Sequence, residues 1–433
     1  MDRDLVALGG FVLMFALMVL RVPIGVAMGV TGVLGFGLLA GVGPALNLFA
    51  NVPLSVVTDY DLAVIPMFIL MGAFAANSGM SRELFESGRM WFGHRRGGLA
   101  YASIAACGGF AAVNGSSVAT AATMTQVALP EMRKAGYAPG FSAGLVAAGG
   151  TLGIMIPPSV IFVLYGIMTD TDITQLFAAG VVPGLLGILF YFALVQFMAW
   201  RNPDSVPVGE RHGWGARLRS SVGLWPVGLL FMMVLGGIYG GWFTVQEGAG
   251  MGAMGTLVIG LARGRLNWKL IRASLIDALR ISSSIMMIVV GAYLFGYFLT
   301  ITQFTQNAVD FLVHLPIGAY GVLAVVLVGY FLLGAVMDEL AMILLTVPIV
   351  FPAMVELGFD PVWFGVITVM AVTFGMIMPP VGINVFVINS IARDIPLGKI
   401  YRGVGPFVAV DIVRLVVLCA FPVLSLWLPH HLA

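Results

Sequence analysis

Apolar residues run along this chain in blocks of about 20, the length a helix needs to cross the hydrocarbon core of a bilayer. Such blocks cover residues 4–20, 23–43, 62–80, 140–168, 175–200, 221–241, 244–262, 281–302, 361–391 and 403–428. Two further apolar stretches, 99–130 and 319–352, are interrupted by polar tips. The first tip is Val113-Asn114-Gly115-Ser116-Ser117 and the second is Met337-Asp338-Glu339. Each arm, at about 13 residues and 1.5 Å per residue, reaches roughly 20 Å, short of the ~30 Å core. The arms are therefore expected to enter and leave on one side, as re-entrant hairpins with tips near the midplane.

The polar segments between blocks sort by charge. Segments 81–98, 131–139, 201–220 and 393–402 carry Arg82, Arg89, Arg95 and Arg96, then Arg133 and Lys134, then Arg201, Arg211, Arg217 and Arg219, then Arg393, Lys399 and Arg402. Segments 169–174, 303–318 and 353–360 hold Asp170, Asp172, Asp310, Glu356 and Asp360 but no Lys or Arg. Basic segments face the cytoplasm, which puts 81–98 inside and its partner 303–318 outside. Residues 1–200 and 221–433 are thus expected to be two halves of opposite orientation, joined by a cytoplasmic linker at 201–220. Residues 267–280 place Ile271, Leu275, Ala278 and Leu279 on one face, with Lys269, Arg272 and Arg280 toward the other. They read as an amphipathic helix along the membrane surface, with 44–61 in the matching position of the first half. Trp91, Trp200, Trp242, Trp268, Trp363 and Trp427 fall near span ends, as an interfacial belt would.

Composition narrows the class. The chain is 60% hydrophobic and 9% charged, against roughly 25% charged in soluble proteins. An all-α polytopic membrane protein is the only class that fits. A net charge of +1 points to no nucleic-acid partner. Cys107 and Cys419 lie far apart in apolar runs and read as core residues, not as a disulfide. His94, His212, His314, His430 and His431 lack metal-ligand spacing. There is no phosphate-binding G-x-x-x-x-G-K-[ST], no H-E-x-x-H and no G-x-S-x-G, so the chain is not expected to be an enzyme. The run from Leu5 to Leu20 has no small-residue cleavage site after it and reads as a first span.

The halves also share sequence. Pro157-Pro158 and Pro379-Pro380 are separated by 379 − 157 = 222 positions, and that offset pairs Thr151 with Thr373 and Gly153 with Gly375. It also pairs Pro130 with Pro352, Met132 with Met354, Gly136 with Gly358 and Pro139 with Pro361. Each proline pair interrupts an apolar run. Proline lacks an N–H and clashes with the carbonyl four residues back, and it pushes the residue before it out of helical dihedrals. Helices 140–168 and 361–391 are therefore expected to break, with Pro157 and Pro379 opening the first turn of the second half-helix. A simple kink in a packed helix is the bland alternative. A break leaves carbonyls unpaired on one half-helix and N–H groups unpaired on the other, which lipid does not tolerate unless the gap faces protein or a cavity. The carbonyl end suits a cation and the N–H end an anion.

On this basis Asn114, Gly115, Ser116 and Ser117 are expected to complete a sodium site with the carbonyls around Thr151–Ile156, oxygen being the ligand for a hard cation. An ordinary Asn-Gly-Ser turn is the alternative. Asp338 at the second tip is expected to face the carbonyls of Thr373–Met378. A carboxylate at membrane depth costs at least about 2.5–3.5 kcal/mol; sodium would compensate it, as would protonation and a hydrogen bond. Ser117, Ser159, Pro157, Pro379 and Pro380 are the expected substrate contacts. Asp411 and Arg414, at i and i+3, read as a mutually neutralising pair, with a substrate-carboxylate role for Arg414 as the other reading.

The paired tips, Asn-Gly-Ser-Ser and Met-Asp-Glu, and the duplicated Gly-x-x-x-Pro-Pro breaks resemble the large membrane subunit of tripartite ATP-independent periplasmic (TRAP) transporters over essentially the whole chain. The resemblance implies a sodium-driven importer of organic acids in the bacterial inner membrane, with two inverted-topology repeats. It implies an elevator motion of hairpins and broken helices, against a scaffold of spans within 4–80 and 221–302. It implies a separate small membrane subunit, a periplasmic substrate-binding protein and no resident cofactor. The family's sodium sites carry over to Asn114, Gly153 and Pro158 in the first half, and to Asp338, Thr373, Gly375 and Met378 in the second. Glu339 has no place in that pattern. A stand-alone sodium/dicarboxylate symporter and an anion channel are the competing readings.

Overall fold

The computed structural model describes residues 3–201, 206–334 and 337–432. These residues are helical almost throughout, because a run of apolar side chains in lipid leaves the backbone no partner but itself. The first half begins with α1 (Arg3–Val19), α2 (Ile24–Ala40), α3 (Val42–Thr58), α4 (Val64–Asn77) and α5 (Met80–Phe92). A hairpin follows, α6 (Gly98–Asn114) and α7 (Ser117–Lys134), then α8 (Pro139–Met155), α9 (Val160–Thr169) and α10 (Ile173–Arg201). The second half begins with α11 (Trp214–Val222), α12 (Trp225–Tyr239), α13 (Val245–Ala262), α14 (Trp268–Thr302) and α15 (Phe304–Val313). It continues with α16 (Gly318–Gly334), α17 (Glu339–Glu356), α18 (Pro361–Gly375), α19 (Ile383–Ile391), α20 (Leu397–Ala420) and α21 (Val423–Leu432).

Four of these helices, α10, α14, α17 and α20, are long and apolar enough to cross a membrane alone, or up to seven spans if each bent pair counts as one. Both interrupted stretches are antiparallel hairpins. Ser103 Oγ on α6 reaches Met132 Sδ on α7 at 3.5 Å, and Thr346 Oγ1 on α17 donates to Tyr330 Oη on α16 at 2.9 Å. Their arms are longer than expected, 17 and 18 residues in each hairpin, because Pro130, Pro348 and Pro352 are accommodated inside helices. At 1.5 Å per residue these arms reach about 26–27 Å, close to the ~30 Å core, and α17 is itself one of the four helices long and apolar enough to cross it. Both proline pairs do interrupt their helices: α8 and α9 meet at 43°, and seven residues, 376–382, separate α18 from α19.

Several expectations change. Pro157 and Pro379 do not open the second half-helices; they lie in the breaks, and helix resumes at Val160 and Ile383. Residues 267–280 are not a separate surface helix but the first part of the 35-residue α14, capped by Asn267 Oδ1 on the Leu270 N–H. Nothing between Arg280 and Ile281 stops a helix. In the first half the corresponding pair, α3 and α4, bends by 61°. The block 403–428 is two helices, since Pro422 cannot continue α20 past Phe421. Segment 303–318 contains α15, and the linker contains α11, with Arg96 and Val208 forming an isolated bridge and Gly97 N donating to Pro207 O. Trp363 is no interfacial belt residue: it is buried, and its indole N–H donates to Leu418 O at 3.1 Å.

Without a hydrophobic drive between helices in lipid, close approach depends on small residues. A Cβ on Gly25 would meet Met287 O at 2.6 Å, and one on Gly32 would meet Leu294 O at 2.5 Å, so α2 lies backbone to backbone on α14. Gly140 and Gly144 on α8 meet Gly403 on α20 in the same way.

Candidate ion and substrate site

The first hairpin turns at Gly115, whose φ of +63° favours glycine. A side chain there would meet Pro158 O at 2.6 Å, so the tip is seated on the first break. Asn114 is buried; its amide donates to Ser116 O and Thr120 Oγ1, both at 3.2 Å. Ser116 caps α7 by accepting from Ala119 N at 3.4 Å. Gly153 lies under the same turn, where a Cβ would meet Ser116 O at 2.9 Å. Asn114, Gly115, Ser116, Gly153 and Pro158 are thus brought together. Thr151 is not with them by its side chain: its hydroxyl donates to Ala148 O and contacts Tyr191 Oη at 3.4 Å.

At the second hairpin Asp338 caps α17, Oδ1 accepting from Leu340 N and Ala341 N at 3.0 Å each. The arm α16 ends against α18 at Gly334 and Gly375, where a Cβ on Gly375 would meet Gly334 Cα at 2.6 Å. Thr373 bonds Met370 O through its hydroxyl at 2.6 Å. Met378 closes the end of α18, its N–H bonding Phe374 O at 3.0 Å. Pro379 and Pro380 are exposed, and Tyr401 Oη donates to Pro380 O and Val381 O at 3.2 and 2.7 Å.

Both tips reach one cavity of about 550 Å³, lined by Asn114, Gly115 and Ser116 from the first hairpin and Glu339 and Leu340 from the second. Val160 and Ile161 of α9 line it too, with residues of α4 and α14 opposite. Ser159 does not cap α9 with its side chain, and its hydroxyl is buried without a hydrogen-bond partner. The first N–H groups of α9 precede its first bond, Val163 N to Ser159 O at 3.2 Å. A helix N-terminus of this kind favours an anion. Of the expected substrate contacts, Pro157 and Ser159 are buried beside this opening, whereas Ser117 Oγ is taken up by Asn384.

Asn384 was not singled out from sequence, and it joins the two halves. Its amide, from α19 beyond the second break, donates to Ser117 Oγ at 2.7 Å and Ala147 O at 3.1 Å. Its Oδ1 is buried with no hydrogen-bond partner. No sequence signal marked it, since the offset pairs it with Phe162. Arg280 and Asp277 were also missed as cavity residues, because the amphipathic pattern assigned them to the membrane surface. The Asp411–Arg414 pair is buried, with Nη2 to Oδ1 at 3.1 Å, and Tyr191 Oη donates to Asp411 Oδ2 at 2.6 Å. Arg414 Nη2 also contacts Met370 Sδ at 2.8 Å. Neither partner lines the cavity between the tips.

A family model described as "Tripartite ATP-independent periplasmic transporter, DctM component" matches residues 11–424. The chain belongs to the TRAP transporter family, as a large permease subunit. Its relatives include the C4-dicarboxylate TRAP transporter large permease protein DctM of Pseudomonas aeruginosa, 37% identical over 86% of this chain and 87% of that protein. The ectoine/5-hydroxyectoine large permease protein UehC of Ruegeria pomeroyi is 30% identical over 96% of this chain and 97% of its own. The crystal structure of the Alcanivorax borkumensis YdaH transporter superposes with a TM-score of 0.64 over 89% of each chain, at 14% identity, a likeness of fold alone. This TRAP subunit is a multi-pass membrane protein of a transporter family, and its relatives are permeases, not enzymes.

Proposed function

We propose that this subunit carries an organic acid across the bacterial inner membrane, driven by an inward sodium gradient. It acts with a small membrane subunit and a periplasmic binding protein that delivers the substrate. One observation carries the reading: two hairpin tips and an uncapped helix N-terminus converge on a single cavity. Sodium is held at the tips by Asn114, Gly115, Ser116, Gly153 and Pro158 in the first half, and by Asp338, Thr373, Gly375 and Met378 in the second. The carboxylate faces the N-terminal end of α9. The two halves have opposite orientations, with the basic linker in the cytoplasm. Hairpins and broken helices move together as an elevator, while the helices lining the far wall, α4 and α14, stay with the scaffold. Relatives named for C4-dicarboxylates and for ectoine support the acid as cargo.

The test is uptake of labelled succinate, pyruvate and ectoine into proteoliposomes holding the complete transporter. Import is expected only under an inward sodium gradient, and import unchanged by replacing sodium with potassium overturns the mechanism. Import by this chain without its binding protein would make it a stand-alone symporter, and current far above coupled flux would make it a channel. Asp338 separates ligand from cap. Asp338→Asn retains a capping oxygen but loses the charge, so a several-fold rise in the sodium concentration for half-maximal uptake is expected. An unchanged sodium dependence would confine Asp338 to capping.

A further inference from the structure

The cavity between the tips has an unusual set of charges. Its charged lining residues are Arg280 and Asp277, one turn apart on α14, and Glu339 on the second hairpin. The side chains of Arg280 and Asp277 make no hydrogen bond or ion pair among the described residues. Glu339 Oε2 is buried with no hydrogen-bond partner, a costly state that a bound group carrying N–H donors would relieve. A lining of one cation and two carboxylates is the wrong one for a dianion, whose second carboxylate would meet Asp277 or Glu339. It suits a molecule with one negative and one positive end. Between these ends the walls are aliphatic, with Ile69, Ile281, Ile285 and Leu340, and the volume lies in the range of small-ligand pockets.

Resting on the carrier reading above, we propose that the substrate is a compact zwitterion. Its carboxylate faces Arg280 and the free N–H groups at the start of α9, and its cationic nitrogen faces Glu339. Coupling sodium ions, held behind the tips against the break carbonyls, serve any carboxylate alike; Glu339 supplies the discrimination. The nitrogen group donates to Oε2, so the carboxylate gains the partner it lacks.

The test uses the full chain in nanodiscs, in sodium and in potassium, with three sets of probes. These are zwitterions that carry N–H donors (ectoine and the neutral proteinogenic amino acids), the dianion succinate and the monoanion lactate. At least one zwitterion is expected to raise the melting temperature in sodium, with succinate giving no shift. Glu339→Gln, nearly isosteric, is expected to weaken that zwitterion's binding by about ten- to a hundred-fold, the loss of one charge-assisted bond, and to leave lactate binding no weaker. Arg280→Gln is expected to weaken both. Size-exclusion profiles and unliganded melting temperatures matching the parent show that each variant folds. A succinate-induced shift, or zwitterion binding untouched by Glu339→Gln, overturns this proposal and leaves the carrier reading standing. If no probe shifts the melting temperature in sodium, both fall.

Discussion

At the first break four residues, Ile156–Ser159, separate α8 from α9, and all four are buried under the tip of their own hairpin. At the second, seven residues separate α18 from α19, and Pro379, Pro380 and Val381 are exposed. The same proline pair therefore sits in two different settings. In the first, Gly115 closes over Pro158 O, and the N–H end of α9 opens on the cavity. In the second, carbonyls are answered from within the protein: Tyr401 bonds two of them, and Asn384 N bonds Met376 O at 3.0 Å. Duplicated sequence supplies two interrupted helices, but their surroundings make one an opening onto the cavity and leave the other largely self-satisfied. The Asn384 amide then ties the second to the first.

The comparison can be broken most forcefully at the glycines beneath each tip. A Cβ on Gly375 would overlap the Gly334 backbone at 2.6 Å, whereas one on Gly153 would meet Ser116 O at 2.9 Å and the Thr120 hydroxyl at 3.0 Å. Overpacking costs about 1–3 kcal/mol and more where backbone must move. Gly375→Ala is expected to lower the melting temperature in detergent more than Gly153→Ala; the reverse order would mean the second hairpin is the looser one. Next in size is Asn384→Ala, which removes two buried bonds, to Ser117 Oγ and to the Ala147 carbonyl. It should cost about 2 kcal/mol at roughly 1 kcal/mol per bond and reduce sodium-dependent uptake. Stability and uptake both unchanged would show that the halves are not coupled there.

Tyr401→Phe should cost about 1 kcal/mol and act on the second break alone, since among the described residues no hydroxyl bonds the carbonyls of the first. Hydrogen–deuterium exchange should rise in α19 and not in α9. The smallest effect concerns Asp394, whose carboxyl is held below its usual range by hydrogen bonding to the Arg133 guanidinium, with Nη1 to Oδ2 at 2.8 Å. A depressed carboxylate contributes stability above its unfolded value and loses it as pH falls through the folded one. The contact between α7 and the segment after α19 should therefore weaken below the ordinary aspartate range. The pair is solvent-exposed, so added salt should erase the effect at neutral pH. A salt-insensitive acid transition, shared by Asp394→Asn, would assign it elsewhere.

Much of this was legible along the chain, because hydrocarbon imposes strong rules. Apolar blocks had to be helices, the proline pairs had to interrupt them, and polar tips in the middle of two stretches had to turn. The cap at the start of α18 was not read from the chain: Asp360 stood only as an acidic residue of segment 353–360, and the structure has its Oδ1 accepting from Val362 and Trp363 N–H at 2.9 Å. What sequence could not supply was the partner of each polar group. Thr151 and Thr373 occupy equivalent positions, yet Thr151 reaches Tyr191 on α10 and Thr373 only its own helix. Arg280 carries the periodicity of a surface helix, and only the uninterrupted α14 brings it to the cavity wall. Local chemistry determines where a helix must start, stop or break, since those costs fall on the backbone within a few residues. Which broken end faces a cavity, and which charges face it across the gap, depends on contacts between segments some 200 positions apart, and packing alone decides those.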